Sequence, residues 1–150
     1  MAQSLAKVIV HIIFSTKDRM PLIAPTMRGE LHAYIVGTLA RLGCPSILVN
    51  GVADHVHILC FLSRTLALAK VIEEVKKGSS KWMKTKAVAL RNFHWQNGYG
   101  AFSVSQSGVA KVRDYIAGQE EHHRRVSFEE EFLAFLRRHE VEFDERYVWD

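Results

Sequence analysis

The sequence predicts an α+β chain of ferredoxin-like type, a split βαβ antiparallel sheet with helices packed on one face and an added C-terminal helix. Three observations carry that expectation. Short segments alternate apolar and polar residues at the period of a strand, two longer segments repeat apolar residues at the period of a helix, and their order is β-α-β-β-α-β followed by further helices. No repeat, low-complexity tract or Pro/Gly-rich linker divides residues 1–150, so a single domain is expected.

Lys7 to Phe14 reads as the first strand, with Val8, Val10, Ile12 and Phe14 on one face and Ile9, His11 and Ile13 on the other. A loop to Pro25 carries Thr16, Lys17 and Arg19. Thr26 then opens a helix that runs to about Leu42 and ends at Gly43. Ser46–Val52 and His55–Leu62 form two strands joined by a tight turn containing Gly51 and Asp54. Leu66 to about Lys77 is an amphipathic helix, interrupted at Gly78-Ser79-Ser80 and resumed towards Met83. A turn-rich stretch leads to a strand around Ala101–Val104. Ser107 caps a helix from about Val109 to His123, and Ser127 with Glu130 forms the capping box of a last helix, Ser127–His139.

Composition excludes several classes. With 48% hydrophobic and 24% charged residues, the chain is neither disordered nor built around a membrane span. The only two cysteines, Cys44 and Cys60, lie in apolar contexts and read as reduced core residues of a cytoplasmic protein. Charge is distributed unevenly. Lys70 to Arg91 holds seven basic residues against two acidic ones, whereas Ser127 to Asp150 holds eight acidic against three basic. This asymmetry suggests a polyanion-binding side and an acidic tail that stays off it.

The strongest chemical signal is Asp54-His55-Val56-His57-Ile58-Leu59-Cys60. On a strand, His55 and His57 share a face at roughly 6–7 Å spacing, and two such imidazoles can converge on one metal. Val56, Ile58, Cys60 and Leu62 alternate into the core, so the pair stands on a rigid platform. The second signal is Tyr115 with Gln119, one helical turn apart beside the apolar stripe Val109, Val112 and Ile116. Tyr34 reads as structural and Tyr99 as a loop residue. A phenol, a metal and a carboxamide together suit phosphoryl transfer by covalent catalysis, because the metal compensates for a nucleophile whose pKa is near 10. A His/His/Gln set suits Mn²⁺ and, less tightly, Mg²⁺. His11, on a neighbouring strand, would support the ligands from behind. Lys76, Lys77, Ser79, Ser80, Lys81 and Lys84 could contact phosphates, and Trp82, Trp95 and Tyr99 could stack on unpaired bases.

DHVHIL followed by YIxxQ resembles the single-tyrosine HUH transposases of the smallest bacterial insertion sequences and their repeat-associated relatives. HIIFSTKDR, KKGSSKW, WQNGYGAFSVS and the terminal HEVEFDERYVW extend the resemblance over nearly the whole chain. It implies that His55, His57 and Gln119 hold a divalent metal and that Tyr115 is the nucleophile. It further implies cleavage of single-stranded DNA to a 5′-phosphotyrosine and a free 3′-OH, later rejoining, recognition of DNA hairpins near element ends, and a homodimer. Two other readings remain open: a non-catalytic single-strand or hairpin nucleic-acid-binding module, and a hydrolase in which water attacks. The second would want a carboxylate beside the histidines, and Asp54 is expected to alternate away from them.

Overall fold

Residues 2–150 are described by a computed structural model. Strands β1 (Ile9–Ser15), β2 (Ser46–Gly51), β3 (His55–Phe61) and β4 (Gly100–Val104) form one antiparallel sheet in the order β2-β3-β1-β4. This is the expected split βαβ arrangement, and it makes β1 and β3 the central pair. Ser15 lies opposite His55 and Ile13 opposite His57. At Gly51, where the β2–β3 hairpin closes, a Cβ would stand 2.3 Å from the His55 carbonyl oxygen, so the tight approach needs glycine.

Strand alternation sends two different residue sets to the two faces. Val10, Ile12, Phe14, Val56, Ile58 and Cys60 meet helices α1 (Pro25–Arg41) and α2 (Leu68–Lys84), through Leu31, Ile35, Leu39, Val71, Ile72, Val75 and Met83. The opposite face is covered by α3 (Val109–Ala117), α4 (Gln119–His122) and α5 (Phe128–Arg138). There Ile116 packs on Ile9 and Leu59, while Phe128, Phe132 and Leu136 pack on Ile13 and Phe102. Gly100 lets α5 settle, since a Cβ there would come within 2.4 Å of the Phe132 ring. Cys44 and Cys60 are free and buried. Among the described residues no helix is long and apolar enough to cross a membrane.

Four local expectations are corrected. α1 starts at Pro25, whose fixed φ suits the first helical position, so Thr26 is not its cap. α2 runs unbroken through Gly78-Ser79-Ser80. Ser79 Oγ donates to the Val75 carbonyl at 2.6 Å and accepts from Trp95 Nε1 at 2.9 Å, so its hydroxyl serves the helix instead of ending it. Ser107 does not cap α3, because a 3-10 turn at Gln106–Gly108 intervenes and Ser107 Oγ pairs with Ser105 Oγ. The helix expected over 109–123 is divided at Gly118, a poor helix former. Beside the break Asn50 Nδ2 captures the Ile116 carbonyl at 2.8 Å. The last helix has its predicted start, Ser127 Oγ accepting from the Glu130 backbone N–H.

Candidate metal centre and nucleophile

β3 points His55 and His57 into a fully buried space between the sheet and α3–α5. Each ring is held by its Nδ1. Asp54 Oδ1 lies 2.7 Å from His55 Nδ1, and His11 Nε2 lies 2.7 Å from His57 Nδ1. Asp54 sits in the turn, outside the strand, so strand alternation does not govern its side chain. The expectation that it points away from the histidines is therefore corrected. With Nδ1 occupied on both rings, both Nε2 atoms face inward, the arrangement by which outer partners orient metal-binding imidazoles.

What they face is Glu131 of α5. Its Oε1 is 2.9 Å from His57 Nε2 and 3.4 Å from His55 Nε2. Its Oε2 accepts from the Tyr115 hydroxyl and, at 3.2 Å, from Gln119 Nε2. Gln119, fully buried, also brings Oε1 to 3.1 Å from His55 Nε2. His122 Nε2 reaches both the Tyr115 hydroxyl and Glu131 Oε2 at 3.2 Å. The structure therefore brings Tyr115, Gln119, His55, His57 and His11 together although Gly118 separates Tyr115 from Gln119. It adds Glu131, His122, His123 and Asp54, which the sequence reading left aside.

Electrostatics follow from burial and from this carboxylate. Burial works to lower the His55 pKa, but Asp54 and Glu131 on its two nitrogens raise it to about 9. Burial wins at His57, down to about 4, and at His11, to about 3. Burial opposes ionisation of Glu131, yet the imidazoles of His123, His55 and His57 set against its carboxylate hold its pKa well below the usual carboxylate range. Burial, then the Glu131 hydrogen bond and charge, push the Tyr115 phenol well above its ordinary value. A neutral phenol hydrogen-bonded to a carboxylate is a weak nucleophile, and positive charge beside it would strengthen it.

The residues present fit a metal ion. One nitrogen or oxygen from each of His55, His57, His123 and Glu131 lies within 4.8 Å of the others. His123 Nε2 is buried without a hydrogen-bond partner, although it lies 3.1 Å from Glu131 Oε2. A cleft of about 290 Å³ reaches Tyr115 and His11 and is lined also by Lys111, Arg138, His139 and Ser105.

The expected phosphate contacts on α2 lie across the sheet from the histidines, and the structure contradicts part of that set. Ser79 is fully buried in bonds to Val75 and Trp95, so it has no access to phosphate. Lys76 Nζ donates to the carbonyls of Gln96, Asn97 and Gly98 at 2.8, 3.2 and 2.6 Å, and burial lowers its pKa to about 8. Ser80 Oγ donates to the Phe93 carbonyl. Lys77 and Lys81 remain exposed, and half-buried Lys84 reaches Ser80 Oγ. Trp95 is a core residue, Trp82 stacks on Tyr34, and Tyr99 is exposed.

The site is thus a His-x-His pair on a central strand of a split βαβ sheet, set under a helical tyrosine. The family model described as "Transposase IS200 like" matches residues 4–119. This chain belongs to that family of transposases. No curated protein matches it. It is similar to a candidate transposase from Deinococcus radiodurans R1, with 20% identity, TM-score 0.62, and coverage of 79% of this chain and 98% of that one. It is also similar to a REP-associated tyrosine transposase solved with a REP hairpin, with 16% identity, TM-score 0.61, and coverage of 84% of this chain and 74% of that one.

Proposed function

We propose that this chain cuts and rejoins single-stranded DNA through a 5′-phosphotyrosine on Tyr115, with a divalent metal, Mn²⁺ or Mg²⁺, held by His55, His57 and Gln119. The observation that carries the reading is that the Tyr115 hydroxyl and both imidazole Nε2 atoms meet on one buried carboxylate. A phenol and two metal-binding imidazoles thus share a centre small enough to act on one phosphate. A divalent ion there would neutralise charge on the scissile phosphodiester. Tyr115 Oη attacks phosphorus, the bond from phosphorus to the 3′ oxygen breaks, and that oxygen leaves as a free 3′-OH. The phenolic proton has Glu131 Oε2 as its nearest acceptor, and the net transfer delivers one proton to the departing oxygen. Attack by a later 3′-OH reverses the step, with no nucleotide cofactor.

Lys111, Arg138 and His139 line the approach to Tyr115 and suit the backbone of an entering single strand. Lys77, Lys81 and Lys84, across the sheet, suit a more distant part of the substrate such as a hairpin stem. One chain contributes every member of the centre, so a homodimer would add surface for the hairpin instead of a missing residue.

The test is denaturing electrophoresis of end-labelled single strands from the flanking DNA, with Mn²⁺ or Mg²⁺. Wild type should cut and leave a covalent protein–DNA adduct. Tyr115→Phe keeps its ring packed near His57 and Phe135 and should fold, bind DNA and form no adduct. Tyr34→Phe and Tyr99→Phe should still cut. Undiminished cleavage by Tyr115→Phe would assign the attack to water. Binding without cleavage by wild type under either metal would assign a binding module.

A further inference from the structure

The family match stops at residue 119, yet half of the converging metal-binding donors come from beyond it. We propose that Glu131 and His123 are metal ligands together with His55 and His57, so that the C-terminal helices complete the metal centre. This deepens the reading above and rests on its metal, while the tyrosine chemistry does not enter.

Glu131 is only 3% exposed, and it lies on the stripe of α5 that buries Phe128, Phe132 and Leu136. Burying a carboxylate among phenylalanines is costly unless cations or strong donors meet it. Here imidazoles close on it from two other elements: His55 and His57 from β3, and His122 and His123 from α4 and the residue that caps it. Packing of α5 against Ile13 and Phe102 does not require a charge at this position, because the flanking phenylalanines make those contacts. A bound cation would account for it.

His123 is the independent observation. Its side chain is 10% exposed and its Nε2, 3.1 Å from Glu131 Oε2, has no partner of hydrogen-bond geometry among the described residues. Its ring stands 4.4 Å from that of His55. That nitrogen lies within 4.8 Å of ligand atoms of His55, His57 and Glu131, so one metal ion could take all four.

The resulting set is three imidazoles and one carboxylate, with the Gln119 carboxamide beside His55. Three nitrogen donors favour a transition metal over Mg²⁺, and the carboxylate keeps Mn²⁺ acceptable. Helix α5 then becomes part of the metal site, and loading the metal should tighten its docking on the sheet.

The experiment is calorimetric titration of Mn²⁺ into the metal-free full-length chain without DNA, with circular dichroism checking the fold of each variant. Wild type should bind one ion, and Glu131→Gln and His123→Ala should each weaken binding at least tenfold. Tyr34→Phe, on the α1 side of the sheet beside Trp82, should bind as wild type does. Wild-type affinity in a folded Glu131→Gln overturns the proposal for Glu131. If that variant does not fold, wild-type affinity in a folded Glu131→Ala overturns it, as wild-type affinity in a folded His123→Ala does for His123. Glu131-dependent metal binding in a protein that never forms a tyrosine adduct sinks the proposed function alone. Tyrosine-dependent cleavage with Glu131-independent metal binding sinks this inference alone.

Discussion

The two faces of the β1–β3 pair are built from alternate residues of the same two strands, yet they do opposite work. Towards α1 and α2 the pair offers Val10, Ile12, Phe14, Val56, Ile58 and Cys60, an apolar surface filled by leucine, isoleucine and valine. Towards α3–α5 it offers His11, His55 and His57, buried as deeply and joined to a carboxylate. The first face gains from the area it removes from water. The second sets desolvated polar groups against one another and stays closed only because each finds a partner. Placing both on one backbone sets His11, His55 and His57 on the two central strands of the sheet.

The sharpest way to break this contrast is to change neighbours in sequence that face apart. His57→Ala should reduce DNA cleavage below about one hundredth of wild type while the chain remains folded. Ile58→Ala should instead lower unfolding free energy by about 2–5 kcal/mol through lost burial and the cavity left behind. Below its transition this second variant should still cut. Chemical denaturation and the strand-cleavage assay, run side by side, decide the matter. A catalytically dead, fully stable Ile58→Ala would show that the faces are not separable.

Local pattern made the sheet and the histidine pair legible, because period-two alternation fixes which side of a strand a residue faces. It also marked Tyr115 and Gln119, although their helix divides at Gly118. Glu131 was missed for a physical reason. Its neighbours Glu129 and Glu130 made it one of a run of first-turn acids, and the run was read as a tail repelled by polyanions. The usable signal was position, since residue 131 falls on the same stripe as Phe128, Phe132 and Leu136. His123 gave no such signal, as its approach to His55 arises only in the tertiary packing. The basic stretch misled in the opposite direction. Charge on α2 was visible in sequence, but not that Lys76 would spend its ammonium on three carbonyls or that α2 would lie on the far face.

That correction leads to a smaller effect. Ser79→Ala removes the acceptor for the buried Trp95 Nε1–H and should cost about 1–3 kcal/mol of stability. DNA affinity and its salt dependence should not change. Lys81→Gln should show the reverse pattern: unchanged stability, weaker binding, and a slope of log affinity against log salt reduced by about 1. Equal binding loss in Ser79→Ala, measured by fluorescence anisotropy across salt concentrations, would restore Ser79 to the DNA-contacting set.

The smallest expected effect compares two histidines. His55, paired with Asp54 and Glu131, has its pKa raised to about 9. His32, on α1, meets no carboxylate among the described residues: burial first, then the Arg28 charge, lower its pKa to about 4, and its Nε2 has no hydrogen-bond partner among them. Between about pH 4 and the ordinary histidine value near 6.5, the unfolded chain binds a proton at His32 that the folded chain refuses. The neutral ring's contribution is therefore complete above about 6.5, declines as pH falls, and is gone below about 4. His32→Gln cannot titrate, so its stability should fall less steeply than wild type across that window. Because His32 is only partly buried, the difference should be on the order of 1 kcal/mol or less. Urea unfolding at pH 7 and pH 4.5 measures it. A variant whose acid sensitivity equals or exceeds that of wild type would mean that His32 finds water or a carboxylate in solution, and the contrast with His55 would then rest on the site face alone.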